Sequence, residues 1–119
     1  MTIARTLAFA LLLTPTAALG AEAPAACSVT ITYTSIAGSV DADLAQKIKN
    51  QFGHDPRIVK RQRRMGHHGG YDICLTVQPP SKARTVFRAI RALMPAYSTK
   101  APTKVSYAGG RYETKYKAP

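Results

Sequence analysis

The chain has 119 residues, with 17 Lys and Arg against 6 Asp and Glu, which gives a formal net charge of +11 at pH 7. This length suits one domain with a small hydrophobic core. So much positive charge argues against an inhibitor of basic targets such as lysozymes. It favours an anionic partner, because the field of the protein attracts phosphate and carboxylate groups.

Residues 1–20 have the pattern of a secretory signal peptide. One cation, Arg5, precedes the apolar run at residues 7–13, and Ala18 and Gly20 supply the small side chains that a signal peptidase reads. The apolar run is about a third of the roughly 20 residues that span a bilayer. We therefore predict cleavage after Gly20 and an exported protein, periplasmic or secreted, with no transmembrane segment after cleavage.

The chain after the predicted cleavage site divides into a flexible Ala- and Pro-rich leader, residues 21–27, and a single domain, residues 28–119. Its two cysteines are Cys27 and Cys74. In an oxidising compartment two such cysteines are expected to pair, so one disulfide is predicted. A bond that closes a loop of this size contributes at most about 4 kcal/mol in the chain-entropy description.

Two segments near the start of the domain have clear periodicity. Residues 28–35, SVTITYTS, alternate apolar and hydroxyl side chains, and a period of two predicts a half-buried strand. Ser39 is the predicted N-cap of a helix that ends at Gly53. The apolar residues of this helix recur every four positions and form one stripe: Val40, Leu44, Ile48 and Phe52.

A hairpin is predicted next. Residues 57–65, RIVKRQRRM, begin with β-branched side chains and lack a helical period, and their cations suit a strand at the edge of a sheet. The GHHGG segment that follows is a turn. Residues 71–78 alternate again and form a third strand whose Tyr71, Ile73, Leu75 and Val77 share the buried face.

The last third of the chain predicts a helix and a β segment. Ser81 caps a second helix that runs through Met94. Residues 104–117 are either a hairpin that turns at Gly109-Gly110 or one long strand with a bulge. The resulting order predicts an α+β fold: a ferredoxin-like βαββαβ two-layer sandwich, with both helices on one face of an antiparallel sheet and an optional extra C-terminal strand.

The cations of the domain are concentrated on two predicted elements. The second strand and the second helix carry Arg57, Lys60, Arg61, Arg63, Arg64, Arg84, Arg88 and Arg91. Guanidinium groups match phosphate and carboxylate with two parallel hydrogen bonds. We therefore predict a binding surface for an anionic envelope polymer or an acidic protein. The alternative is an ordinary solvated face, which most charge runs are.

The histidines suggest a second function. His67 and His68 lie in the predicted turn, and with His54 or Asp72 as further ligands they would make a site for copper or nickel in a periplasmic metal-binding accessory protein. Adjacent histidines in an extended chain point to opposite sides, and no HxH, HxxxH or CxxC spacing is present. We therefore expect no cofactor and keep the metal site as an alternative.

Other functions find little support in the residues. No GxSxG, HExxH or phosphate-loop motif is present, so we predict no catalysis. RNA-recognition modules share the element order, but they stack bases on aromatic side chains of their central strands, where this chain offers threonines. We therefore expect no nucleic acid partner. A structural or assembly subunit of an envelope complex is a further alternative. The sequence does not indicate the oligomeric state.

Overall fold

A computed structural model describes residues 27–64 and 69–119, and of Arg64 it describes only the backbone. The predicted signal peptide, the leader up to residue 26 and the predicted His67-His68 turn lie outside the described residues. Two helices, seven strands and a 3-10 turn at Pro80–Lys82 make up the described part. In chain order the helices and strands are β1 (Val29–Tyr33), α1 (Ala42–Phe52), β2 (Ile58–Arg64), β3 (Tyr71–Val77), α2 (Ala83–Leu93), β4 (Tyr97–Ser98), β5 (Thr103–Tyr107), β6 (Gly110–Glu113) and β7 (Lys115–Tyr116).

The main sheet has five strands in the order β2-β3-β1-β5-β6, and every neighbouring pair is antiparallel. A separate two-stranded ladder joins β4 and β7 in parallel. The predicted α+β class, with an antiparallel sheet and two helices, is confirmed. Because the sheet has a fifth strand, its order does not by itself confirm the predicted four-stranded ferredoxin-like arrangement.

Both helices pack on the same face of the sheet. One hydrophobic cluster contains the alternate residues of β1, the apolar stripe of α1 and the apolar stripe of α2: Val29, Ile31, Tyr33, Leu44, Ile48, Phe52, Val86, Phe87 and Ile90. Burying each of these larger apolar side chains stabilises the fold by about 1.5–3 kcal/mol. The opposite face of the five-stranded sheet carries neither α1 nor α2, and we call it the open face.

The first residues of both helices differ from the prediction. Asp41, and not Ser39, is the N-cap of α1, since its Oδ1 accepts a hydrogen bond from the Leu44 amide at 3.2 Å. Ser39 instead exchanges backbone hydrogen bonds with Ile36. Ser81 caps nothing with its side chain, because it lies inside the 3-10 turn that leads into α2. The side-chain oxygen of a cap must reach an amide two or three residues ahead, which Asp41 does for the Leu44 amide.

The C-terminal segment is the hairpin and not the single bulged strand. Tyr107 pairs with Gly110, which places the turn at Ala108-Gly109, one residue earlier than predicted. After β6 the chain leaves the main sheet at Thr114 and forms β7. Neither helix in the described part of the chain has the length or apolar content to cross a membrane.

Candidate anion-binding surface

A disulfide marks the open face. Cys27 and Cys74 are bonded, with their Cα atoms 5.2 Å apart, which confirms the predicted pair. Cys74 lies in β3 between Ile73 and Leu75, whose side chains point toward the helices. Because side chains alternate along a strand, the bond lies on the open face. Cys27 therefore turns out of the line of β1 to reach its partner.

One row of side chains crosses the whole open face at the level of the disulfide. The strand register places Arg61 opposite Cys74, Thr30 opposite both Cys74 and Ser106, and Ser106 opposite Arg111. We call these five residues the arginine row. At the usual strand spacing its two ends are about 19 Å apart. The disulfide and the hydroxyl groups of Thr30 and Ser106 occupy the middle of the row, and a guanidinium group stands at each edge of the sheet.

A second row on the same face alternates in charge. It consists of Arg63, Asp72, Thr32, Lys104 and Glu113. Arg63 Nη2 lies 3.5 Å from Asp72 Oδ2, and the register sets Lys104 opposite Glu113. Opposite charges on facing residues of neighbouring strands stabilise the pairing. This row is therefore largely self-neutralising.

The cations predicted on the second strand lie on different sides of the sheet and have different contacts. Arg57 precedes the strand and donates two side-chain hydrogen bonds to Asp55, at 3.2 and 3.3 Å. These bonds lower the pKa of the Asp55 carboxyl and raise the pKa of Arg57. Lys60 lies on the helix side of the sheet, where its Nζ donates to the Phe52 carbonyl at 3.4 Å. Of this group, Arg61 and Arg63 belong to the open face.

The arginines of α2 lie on another part of the molecule. Arg84, Arg88 and Arg91 are exposed, and the Arg91 guanidinium stacks 4.9 Å from the ring centre of Tyr112 in β6. Because β6 and β2 are the opposite edges of the sheet, Arg91 is far from the β2 cations. The described side chains among the eight predicted cations therefore lie on several surfaces and form no single zone: Lys60 is on the helix side of the sheet, Arg61 and Arg63 are on the open face, and the α2 arginines lie elsewhere.

The open face includes two cations that the sequence reasoning did not include. Lys104 and Arg111 lie on β5 and β6. The alternation of residues 103–107 indicates that Lys104 faces away from the core. Val105 faces the core, so its neighbours Lys104 and Ser106 point to the other side. Lys104 and Ser106 can be assigned to the same face as Thr30 only when β5 is known to pair with β1.

The described residues contain no site for the alternative function, metal binding. Within residues 27–64 and 69–119, no three His, Cys, Asp or Glu side chains are grouped so that they could hold a metal ion. His54 is exposed before the start of β2, and Asp72 pairs with Arg63 near its end. The start of β2 and the position of Arg63 are about 17 Å apart along the strand, so His54 and Asp72 are not close together. His67 and His68, the centre of the predicted site, lie outside the described residues.

No family model matches the chain, and neither the curated proteins nor the solved structures include a match to it. The surface geometry therefore carries the functional assignment.

Proposed function

We propose that this protein is an exported, non-catalytic binding protein that holds an anionic envelope polymer against the open face of its sheet. The observation that carries this proposal is the arginine row. Arg61 and Arg111 stand at its two edges, and neither forms a salt bridge with any residue of the described chain. Three of the five side-chain carboxylates in the described residues, by contrast, have a salt-bridge partner.

The chemistry of the row suits a polymer that carries both negative charges and hydroxyl groups. Each guanidinium can grip a phosphate or carboxylate with two hydrogen bonds. The hydroxyl groups of Thr30 and Ser106, both half-buried, can donate to and accept from the hydroxyl groups of sugar rings. An anionic glycan that lies across the strands would meet a cation, the disulfide, two hydroxyl groups and a second cation in turn.

The export of the protein is part of the proposal. The signal-peptide pattern of residues 1–20 and the disulfide between Cys27 and Cys74 support it, because disulfides persist in oxidising compartments. A periplasmic or secreted location would expose the protein to lipopolysaccharide and to the carboxylates of peptidoglycan.

We also propose that the domain is a ferredoxin-like sandwich extended by one strand. The order β2-β3-β1-β5 supports this, since it is antiparallel throughout and places β3 between the two strands that flank α1 in the chain. On this interpretation β6 is an addition beside the fourth principal strand, β5. The addition matters for function because it brings Arg111 to the open face.

Retention on immobilised heparin and on lipopolysaccharide tests the proposal. The oxidised protein is loaded at low ionic strength and eluted with a salt gradient. We expect retention on both supports and elution as salt rises, because salt screens exposed charges. A protein that passes through both columns at low salt would overturn the proposal and would favour an acidic protein partner instead.

A matched pair of double variants separates the open face from net charge. R61Q with R111Q removes the two ends of the arginine row, and R84Q with R88Q removes the same charge from the exposed side of α2. We expect the first pair to elute at clearly lower salt, with at least a tenfold weaker affinity. The second pair should elute close to the unmodified protein. Equal shifts in the two double variants would mean that only net charge matters.

A further inference from the structure

A groove lies between α1 and the sheet, on the face opposite the arginine row. Its volume of about 550 Å³ falls within the range typical of small-molecule sites. The groove exists because α1 leaves the helix side of the edge strand β2 uncovered, so Lys60 and Gln62 there are exposed.

The interior of the groove is apolar. Its floor is formed by Ile31 of β1 with Ile73 and Leu75 of β3, and α1 contributes Ala45 and Phe52 to its wall. Ile31 and Leu75 are almost fully buried, whereas Ile73 is only partly buried. An apolar floor of this kind favours a hydrocarbon chain over a polar ligand, because the chain would remove the remaining apolar surface from water.

The two ends of the groove differ in charge. Lys49 and Lys60 lie at the end of α1, where the Lys60 Nζ is held near the Phe52 carbonyl. Tyr33 and Tyr71 lie at the start of α1, and their ring centres are 4.9 Å apart. Tyr71 and Leu75 are four residues apart in β3, so the two ends are separated by about 13 Å.

The tyrosine end does not favour an anion. The Tyr33 hydroxyl is neutral at pH 7, and burial, then the neighbouring Tyr71 and Asp41, raise its pKa further, so this end supplies no positive charge. The buried Asp41 carboxylate lies close enough to contribute to that shift and would repel a second negative charge. The lysine end is cationic, and an ammonium group has three donors, of which Lys60 directs one to a carbonyl.

We propose that this groove binds an amphiphile that has a single apolar chain and one anionic head group. The chain lies along Ile31, Ile73 and Leu75, and the head group is held by Lys49 and Lys60. This inference concerns a different surface from the arginine row and does not depend on polymer binding.

Titration with dodecanoate below its micelle concentration tests this site. The probe is added at pH 7 to the oxidised, isotope-labelled protein, and backbone amide shifts are followed by NMR. We expect saturable shifts confined to α1, β2 and β3, while residues of β6 stay unchanged. Uncharged dodecanol should bind at the same place but about fivefold more weakly, because it lacks the head-group contact. An absence of saturable shifts, or shifts centred on β5 and β6, would overturn the proposal.

Three single variants on α1 and β2 distinguish the groove from general charge. K49Q and K60Q should each weaken dodecanoate about two- to threefold, since each removes one of the two head-group contacts, and should leave dodecanol unchanged. K47Q is the matched control, since Lys47 is an exposed lysine of the same helix that does not line the groove. If K47Q weakened dodecanoate as much as K49Q, the head group would not be held at the lysine end, and the assignment would fail.

Discussion

Ser98 donates a hydrogen bond from its Oγ to Oδ2 of Asp41 at 2.8 Å, and both side chains are buried. The other oxygen of Asp41 caps α1. The Ser98 hydroxyl also accepts hydrogen bonds from the amides of Lys100 and Ala101. A single carboxylate therefore joins the start of α1 to the β4–β7 ladder, 57 residues later in the chain.

The first prediction tests this link. D41A removes the helix cap and leaves the buried Ser98 hydroxyl without its acceptor, so we expect the free energy of unfolding to fall by about 3 kcal/mol. S39A is the control, because Ser39 is exposed and caps nothing. It should change stability by less than about 0.5 kcal/mol. Chemical denaturation of both variants provides the measurement, and a larger loss in S39A would contradict the assignment of Asp41 as the cap.

Two buried threonines are expected to respond in opposite ways to replacement by valine. Thr114 Oγ1 accepts from the Thr103 amide at 2.8 Å, whereas Thr103 Oγ1 is buried with no hydrogen-bond partner in the described chain. T114V should therefore cost about 1–3 kcal/mol, because it orphans a buried amide. T103V should be neutral or stabilising, since valine has a similar shape and no hydroxyl to desolvate. Thermal unfolding of the two variants checks both signs, and a destabilised T103V would count against this account.

The disulfide is expected to be a major stabilising feature. Cys27 precedes β1 and Cys74 lies in the middle of β3, so the bond limits the unfolded chain over nearly half of the domain. We expect C27S with C74S to lower the free energy of unfolding by up to about 4 kcal/mol. The measurement is urea denaturation of the double variant beside the oxidised protein. Identical midpoints would show that the bond constrains little.

Acid should weaken the fold through two surface carboxylates. Hydrogen bonds from Lys100 and from Arg57 lower the pKa values of Asp43 and Asp55, respectively, below their ordinary value of 3.8. A lowered folded-state pKa contributes stability that is present above pH 3.8 and is lost as the pH falls through the folded value. Asp43 is exposed and Asp55 is partly exposed at the surface, so water keeps the contribution small. Unfolding free energies of the unmodified protein and of D43N with D55N, followed from pH 5 to pH 2, should converge as the pH falls. A constant difference across that range would contradict the linkage.

Local patterns were sufficient for much of the fold. The alternation in residues 28–35 and 71–78 predicted β1 and β3 and the face of each that is buried. The four-residue period ending at Phe52 predicted α1, and the run of cations predicted an edge strand, which β2 is. Each of these properties can be predicted locally, because the period and composition of a strand or helix depend only on its own residues.

The tertiary structure alone decided which of those faces meet. Arg61 and Arg111 belong to one row only because β3, β1 and β5 lie between them in register, and Arg91 stacks on Tyr112 because α2 packs near β6. The groove beside Lys60 likewise depends on where α1 crosses the sheet. A residue's own strand or helix sets the side to which it points. Its neighbours across the sheet are set by long-range pairing, which buries the most apolar surface for the chain as a whole.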